Sequence, residues 1–352
     1  MQNVSLEAEL LKKIPRPAFF VADGIITKVN RKASLLKIKA GTAIDSLIRT
    51  GFDEYQTYVD GRLCLTLMIN YIAYDASVVK YHNRDLFFIE NEFLNPDLCM
   101  LSVAVTPLMD PVSDAMLCLE NIRAFPELKD NADLITLNHN FYRIYKIVMD
   151  MHDAAFLNTM RKSKVSNYEL TSEIKKIVDK ADFLLREADL RMEYTCEIQD
   201  ELYGSVDLEK IERAILALAA DMFHFNKPTV KVKVNLRKEQ NRILLSMKCS
   251  VPNEKCEYLE NILLSCHIDN DGLDTKEGRF NGAIMARNAI ASHLGTMLID
   301  RPRARQLRFT LSIPLVQLPE VRSLVSVFDG FAEGYDHNLL SFAEVLPDKS
   351  YK

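Results

Sequence analysis

The sequence predicts a multidomain α+β protein in three parts: a small α+β unit first, an antiparallel helical hairpin next, and a two-layer α/β sandwich toward the end. Three patterns carry that prediction. Short apolar runs separated by turn residues fill the chain to about Glu90. Two long seams of apolar residues, spaced by fours and threes, occupy Leu101 to Ala155. From Tyr168 onward, amphipathic helices alternate with antiparallel strands. A chain of 352 residues suits two or three domains at roughly 100–200 residues each.

Within the first part, Ala18 to Ala22 is a strand, Asp23-Gly24 a hairpin turn and Ile25 to Val29 the returning strand. Asn30 stands where an N-cap precedes the helical run Arg31 to Ile38. Three further strand runs follow, Leu63 to Tyr74, Ala76 to Tyr81 and Asp85 to Ile89, with Asn83-Arg84 as a turn. After Asn95-Pro96 the pattern turns helical. Leu101, Val105, Leu108, Val112, Ala115, Leu119 and Ile122 form one seam; Leu134, Leu137, Phe141, Ile144, Val148, Met151 and Ala155 form the second, beyond a polar turn at Pro126 to Asp133. A single hairpin cannot bury such a stripe alone, so a homodimer closing into a four-helix bundle is expected. In the third part, Leu170 to Ala188, Asp207 to Phe225, Tyr258 to Leu264 and Ala283 to Leu294 read as helices. Arg191 to Gln199, Thr229 to Leu236, Arg242 to Cys249 and Gln306 to Leu315 read as strands. The expected boundaries are 1–95, 96–163 and 164–316, followed by a tail of unassigned role at 317–352.

Composition excludes several classes of function. The chain is 48% hydrophobic and 26% charged, as soluble globular domains are. A net charge of -5, with no block of five or more like charges, leaves no footprint for nucleic acid or for a polybasic membrane contact. No apolar stretch approaches the ~18–20 residues of a membrane span. Met1 to Leu11 lacks the basic and apolar regions of a signal peptide, so a cytoplasmic protein is expected. Seven cysteines without a CxxC pair read as buried thiols in a reducing compartment. GxSxG, HExxH and Walker-loop patterns are also absent from the sequence.

The N-terminal strand order resembles a PAS sensor domain, which implies a half-barrel sheet holding an unidentified ligand or a partner helix; a packed module without ligand fits the same pattern. Hairpin followed by sandwich resembles the transmitter region of a sensor histidine kinase, a dimerising hairpin with a GHKL-type ATPase domain. Thr106-Pro107-Leu108 stands where that family has Thr-Pro-Leu, and the resemblance then puts the phosphoacceptor position at Ser102 and the general-base position at Val103. Neither residue supports the chemistry, which needs an imidazole nucleophile beside a carboxylate.

The same resemblance puts the magnesium-binding position at Asp221, the phosphate-reaching basic position at His224 and an aromatic at Phe225. Asp221 is able to hold magnesium through oxygen, but its charge opposes a triphosphate; both residues equally read as polar positions on a helix's outer face. The family's adenine-reading Asp-x-Gly-x-Gly is replaced by Lys248-Cys249-Ser250-Val251-Pro252-Asn253, with neither Asp nor Gly. Its apolar helix is matched by Leu259, Ile262 and Leu263. The phosphate lid reads Gly278-Arg279-Phe280-Asn281-Gly282-Ala283, so Gly278 and Gly282 survive as residual cofactor-binding positions for ATP and magnesium. Arg287, Ile290, His293 and Gly295 fall on family positions too, His293 as a helix-end residue, and Arg308 to Leu315 matches the closing strand.

Reactive groups are lost while packing features are kept, so the reading is a degenerate histidine kinase acting through binding and conformation. Two alternatives remain. One is a residually active kinase with His152 as a relocated phosphoacceptor, although a solvated helix residue explains both His152 and the other bundle histidine, His139. The second is a hairpin that docks response regulators as a phosphotransfer modulator or scaffold.

Overall fold

The computed structural model describes residues 2–92, 96–128, 130–156, 165–225, 231–251, 281–303, 305–316, 331–332 and 335–351. By contact the chain divides into two compact units. Met1–Phe93, Glu239–Glu277 and Ile290–Pro314 form the first; Leu94–Lys238, Gly278–Ala289 and Leu315–Lys352 form the second.

The first unit opens with helix α1 (Gln2–Lys13), strands β1 (Ala18–Ala22) and β2 (Ile25–Val29), helix α2 (Arg31–Leu35), strand β3 (Ile48–Thr50) and helix α3 (Phe52–Thr57). Strands β4 (Arg62–Ile69), β5 (Ile72–Tyr81) and β6 (Arg84–Glu92) follow. They hydrogen-bond in the order β2-β1-β6-β5-β4, all antiparallel, with β3 on β4. Asp23 and Gly24 take the positive φ that a tight hairpin demands. Asn30 caps α2 as expected: its Oδ1 accepts from Ala33 N at 2.8 Å and from Ala18 N at 3.1 Å, although α2 ends at Leu35. Alternation along β1 sends Phe19 and Val21 into one core and Ala18 and Phe20 into another. Leu11 of α1 closes the second core. Helix α1 was not legible as a helix in the sequence. It is held by Glu7, which is buried and paired with Lys28 at 2.7 Å and Arg84 at 3.1 Å.

One expected strand is divided in two. The run Leu63 to Tyr74 is broken at Asn70-Tyr71, both at positive φ, so Tyr74 belongs to β5. Neither Gly nor Pro marks that turn, and Tyr71 is fully exposed at its tip.

In the second unit the helices α4 (Pro96–Arg123) and α5 (Ala132–Phe156) pack against each other, and α4 continues through Pro107 and Pro111. Strand β7 (Ser166–Glu169), helix α6 (Leu170–Leu185), strands β8 (Arg191–Cys196) and β9 (Tyr203–Val206), helix α7 (Leu208–Phe225) and strand β10 (Lys231–Glu239) follow. β7 pairs with β9 antiparallel, and β8 lies parallel to β10. Glu169 caps α6. Burial pushes its carboxyl up, but hydrogen bonds from Thr171, Ser172 and Leu202 outweigh that and hold it at about 2. Asp182 fastens the start of β8 to α6 by accepting from Arg186, Arg191 and Met192 N.

The rest of the chain supplies β11 (Arg242–Ser250), helix α8 (Asn281–Ser292), β12 (Thr296–Asp300) and β13 (Gln306–Pro314). The three strands belong to the first unit, where β12 pairs with β4 through Met297 and Cys64, Leu298 and Leu63, and Ile299 and Arg62. One antiparallel sheet thus runs β2-β1-β6-β5-β4-β12-β13-β11. Gly61, at φ +89°, lets the chain enter β4 beside β12: a Cβ there would collide with the Ile299 carbonyl oxygen.

The tail is not featureless. Short strands β14 (Phe331–Ala332) and β15 (Tyr335–Asp336) pair, and helix α9 (His337–Ser341), capped by Asp336, leads into a one-turn 3-10 helix, Asp348–Tyr351. The helix expected at Tyr258 to Leu264 and the residues Pro252, Asn253, Gly278 and Phe280 lie outside the described residues.

Candidate functional site

The candidate groups of the second unit gather where α7 meets the start of α8. Between Ala214 and Ala220 every residue of α7 is buried, so this stretch is wrapped on all sides and does not show a solvated polar face. Its small residues permit close approach. Gly282, the second residue of α8, sits so near α7 that a Cβ would collide with the Ala217 carbonyl oxygen and lie 2.8 Å from Asp221 Oδ2. Asp221 Oδ2 accepts the Ala283 backbone N–H at 3.1 Å. Asp221 and Gly282 are therefore brought together, with the carboxylate on one of the first-turn amides of α8, where a helix N-terminus favours negative charge. His224, one turn along α7, is half-buried. Gly278 lies outside the described residues.

An anion of a nucleotide would seek those same first-turn amides. The carboxylate of Asp221 already engages one of them, and it repels a second anion placed beside it. Magnesium reverses that sign, and a carboxylate oxygen is a suitable ligand. Among the described residues, no group of three or more His, Cys, Asp or Glu is placed to hold a metal ion. In the first unit, Cys249 and Val251 are both buried, and burial pushes the Cys249 thiol up to about 12. Lys248 to Asn253 contains neither a carboxylate nor a glycine.

The hairpin positions fall on α4 and α5. Ser102, Val103 and Thr106 lie on α4 and His152 near the end of α5, with side chains outside the described residues. His139 is described fully, and it is not a solvated helix residue. Its ring is held between Asp348, the Ala343 carbonyl and the Tyr351 ring, partners about 200 positions away that no local pattern reveals. His293 stands in the turn that closes α8, where Gly295 N returns to the Ile290 carbonyl. The thiol expectation holds for Cys64 and Cys249; Cys118 and Cys196 are exposed, each on the outer side of its element.

No known family model matches the chain, and no curated protein does. Solved structures similar to it include histidine kinases. Full-length ShkA in complex with AMPPNP is 10% identical over 64% of this chain, with a TM-score of 0.49; the match covers 47% of that chain, so this chain spans about half its length. ThkA in complex with the response regulator protein TrrA is 13% identical, covering 88% of this chain and 98% of that one, with a TM-score of 0.39. Acinetobacter baumannii AdeS is 14% identical, covering 59% and 96%, with a TM-score of 0.39. Among the described residues no helix is long and apolar enough to cross a membrane.

Proposed function

We propose that the chain is a cytoplasmic, dimeric, histidine-kinase-like signalling protein whose ATPase-like part acts as a pseudokinase, through conformation and protein binding. The observation that carries this reading is the Asp221 carboxylate on the Ala283 amide. It satisfies an α8 amide with a charge of the same sign as a phosphate. Ser102 and Val103 at the acceptor and base positions point the same way, since neither activates the other. In this reading residues 1–95 are a PAS-like sensor, supported by the strand order β2-β1-β6-β5-β4, and 96–163 are the dimerising helices. Residues 164–316 are the GHKL-type sandwich, and 317–352 the C-terminal extension. Helices α4 and α5 are then the place where a response-regulator-type partner would dock, as a modulator or scaffold without phosphotransfer.

Calorimetric titration of the purified protein with ATP, with and without magnesium, tests the reading. No heat of binding up to millimolar ATP is the expected result. Micromolar binding dependent on magnesium, and lost in Asp221→Ala, overturns it in favour of an ATP-using enzyme, with His152 as the residue to examine next.

A further inference from the structure

We infer that the first unit carries a docking surface for an anionic lipid bilayer, formed where the end of α2 meets the turn between β4 and β5. Leu35 and Tyr71 enter the interface, and the cations around them meet the headgroups.

The fold assembles this surface from two stretches of chain. From Gly24 to Ile44 there is no acidic residue, and Arg31, Lys32, Lys37 and Lys39 are exposed. Among the described residues none of the four is ion-paired; Lys32 donates to the Pro15 carbonyl and keeps its charge. Arg31 and Leu35 stand four positions apart on α2 and share a helix face. Asn70 Nδ2 donates to the Leu36 carbonyl at 3.0 Å, which fixes the tip of the β4–β5 hairpin beside the end of α2. The hairpin adds no charge there, since every side chain from Thr66 to Tyr74 is neutral. It adds Tyr71, fully exposed, and Ile72, 42% exposed, to the place where Leu35 is 75% exposed. The sequence shows no footprint for a membrane contact because apolar residues interrupt the cations, so no block of five like charges forms, and because the aromatic comes from a different hairpin.

Backbone conformation marks the same residues. Lys37 follows α2 at φ +65° and Tyr71 lies in the hairpin turn at φ +68°, positions where a helix stop and a tight turn ordinarily take glycine or asparagine. Ile38 N returns to the Ala33 carbonyl around Lys37. Lysine and tyrosine are costlier in that conformation. Both side chains are exposed, so packing accounts for neither choice. Leu36, Ile38 and Ile69 pack on the core of the first unit, which holds the surface in place.

Shape decides the partner. The apolar side chains project from a turn and a helix end and line no groove, so a protein would have to supply the cavity, whereas a bilayer interface accommodates a protruding Tyr or Leu. Each Lys or Arg near an anionic leaflet adds attraction that fades within a Debye length. The patch therefore acts locally, although the whole chain carries a net charge of -5. So small a surface gives reversible association that depends on lipid charge and on salt.

The chain has no tryptophan, so Tyr71→Trp makes the tip its sole indole. The full chain is sedimented with vesicles of phosphatidylcholine, alone or with one-third phosphatidylglycerol, and the emission of Tyr71→Trp is read in the same mixtures. Parent protein is expected to sediment with the anionic vesicles and not with the neutral ones, less so as salt rises, and the reporter to shift to the blue. Lys37→Glu with Lys39→Glu is expected to lower the partition at least tenfold. Lys233→Glu with Lys238→Glu, the same charge change on exposed lysines of β10, is expected to leave it unchanged. No sedimentation with anionic vesicles at low salt overturns the proposal, as does an equal loss in both charge variants, because net charge then governs. Sedimentation without a blue shift overturns it by showing that another surface binds. A blue shift with soluble polyglutamate and none with vesicles overturns it in favour of an acidic protein partner. If Tyr71→Trp does not fold, Leu35→Trp is read in its place by the same criteria.

Discussion

Glu212 shows how one buried group writes itself into stability. It is 7% exposed on α7, and burial, followed by the opposing influences of Lys180, Glu209, Arg213 and Asp336, lifts its carboxyl from 4.5 to about 7. The folded state keeps the proton between those two values while the unfolded chain releases it. The contribution is therefore complete below about 4.5, is lost as pH rises to 7, and is constant beyond. Glu212→Gln keeps the shape without the charge. Above pH 7 it is expected to melt higher than the parent, by roughly 1–3 kcal/mol of stability, and to converge with it near pH 4.5. Thermal melts across that range check the prediction, and parallel curves for the two proteins would refute it. At this scale the sequence was legible wherever the partner was local, as at Asn30, whose cap needs Ala33 alone on its helix. It was silent where the partner was remote: Asp221 was found by motif, but its use by Ala283 depends on two helices meeting.

Among the elements, the long helices carry the clearest periodicity and also the clearest unfinished business. The seam residues Leu108 and Ile122 of α4 and Leu137 and Ile144 of α5 are 43–49% exposed, while Leu119 and Val148 are buried. Ile135, Asn138, Tyr142 and Tyr145 turn a different face of α5 inward, the side on which Tyr351 lies. Four large apolar side chains spaced by sevens along two packed helices are the pattern a second pair of helices covers. Leu137→Glu together with Ile144→Glu is expected to convert a dimer to a monomer in light scattering at micromolar concentration, with the far-UV helix signal kept. A parent protein already monomeric there would sink the homodimer. The helices from α4 to α7 were readable because each buries a face set by its own spacing. Helix α1 was not, since its anchor, Glu7, is a charge that a sequence reader places in water.

At the scale of a whole unit, the deciding contact joins strands more than 200 residues apart. β4 and β12 pair so that a single antiparallel sheet carries the N-terminal five-stranded array directly into β12, β13 and β11. No periodicity encodes which edge finds which, because an edge strand offers the same row of N–H and C=O groups to any comer. Side chains supply the choice. Arg242 of β11 reaches Glu54 of α3 at 2.5 Å, and Ser312 of β13 both donates to Glu54 at 3.0 Å and accepts from Arg242 at 2.7 Å. This polar cluster braces the junction from one side, and Gly61 admits β12 from the other. Gly61→Val adds a branched side chain at a positive φ and pushes it into the Ile299 carbonyl, two penalties that together amount to about 3 kcal/mol. A fall in melting temperature of about 5–10 °C is expected, with the amides of Met297 to Ile299 exchanging faster while those of β1 and β6 stay protected. Glu54→Gln, which keeps the hydrogen bond to Ser312 and loses the charge, should give a smaller change of the same pattern. Faster exchange spread evenly over β1, β6 and β12 would show that Gly61 serves the folding of the N-terminal sheet itself, and the junction would then have to rest on the polar cluster.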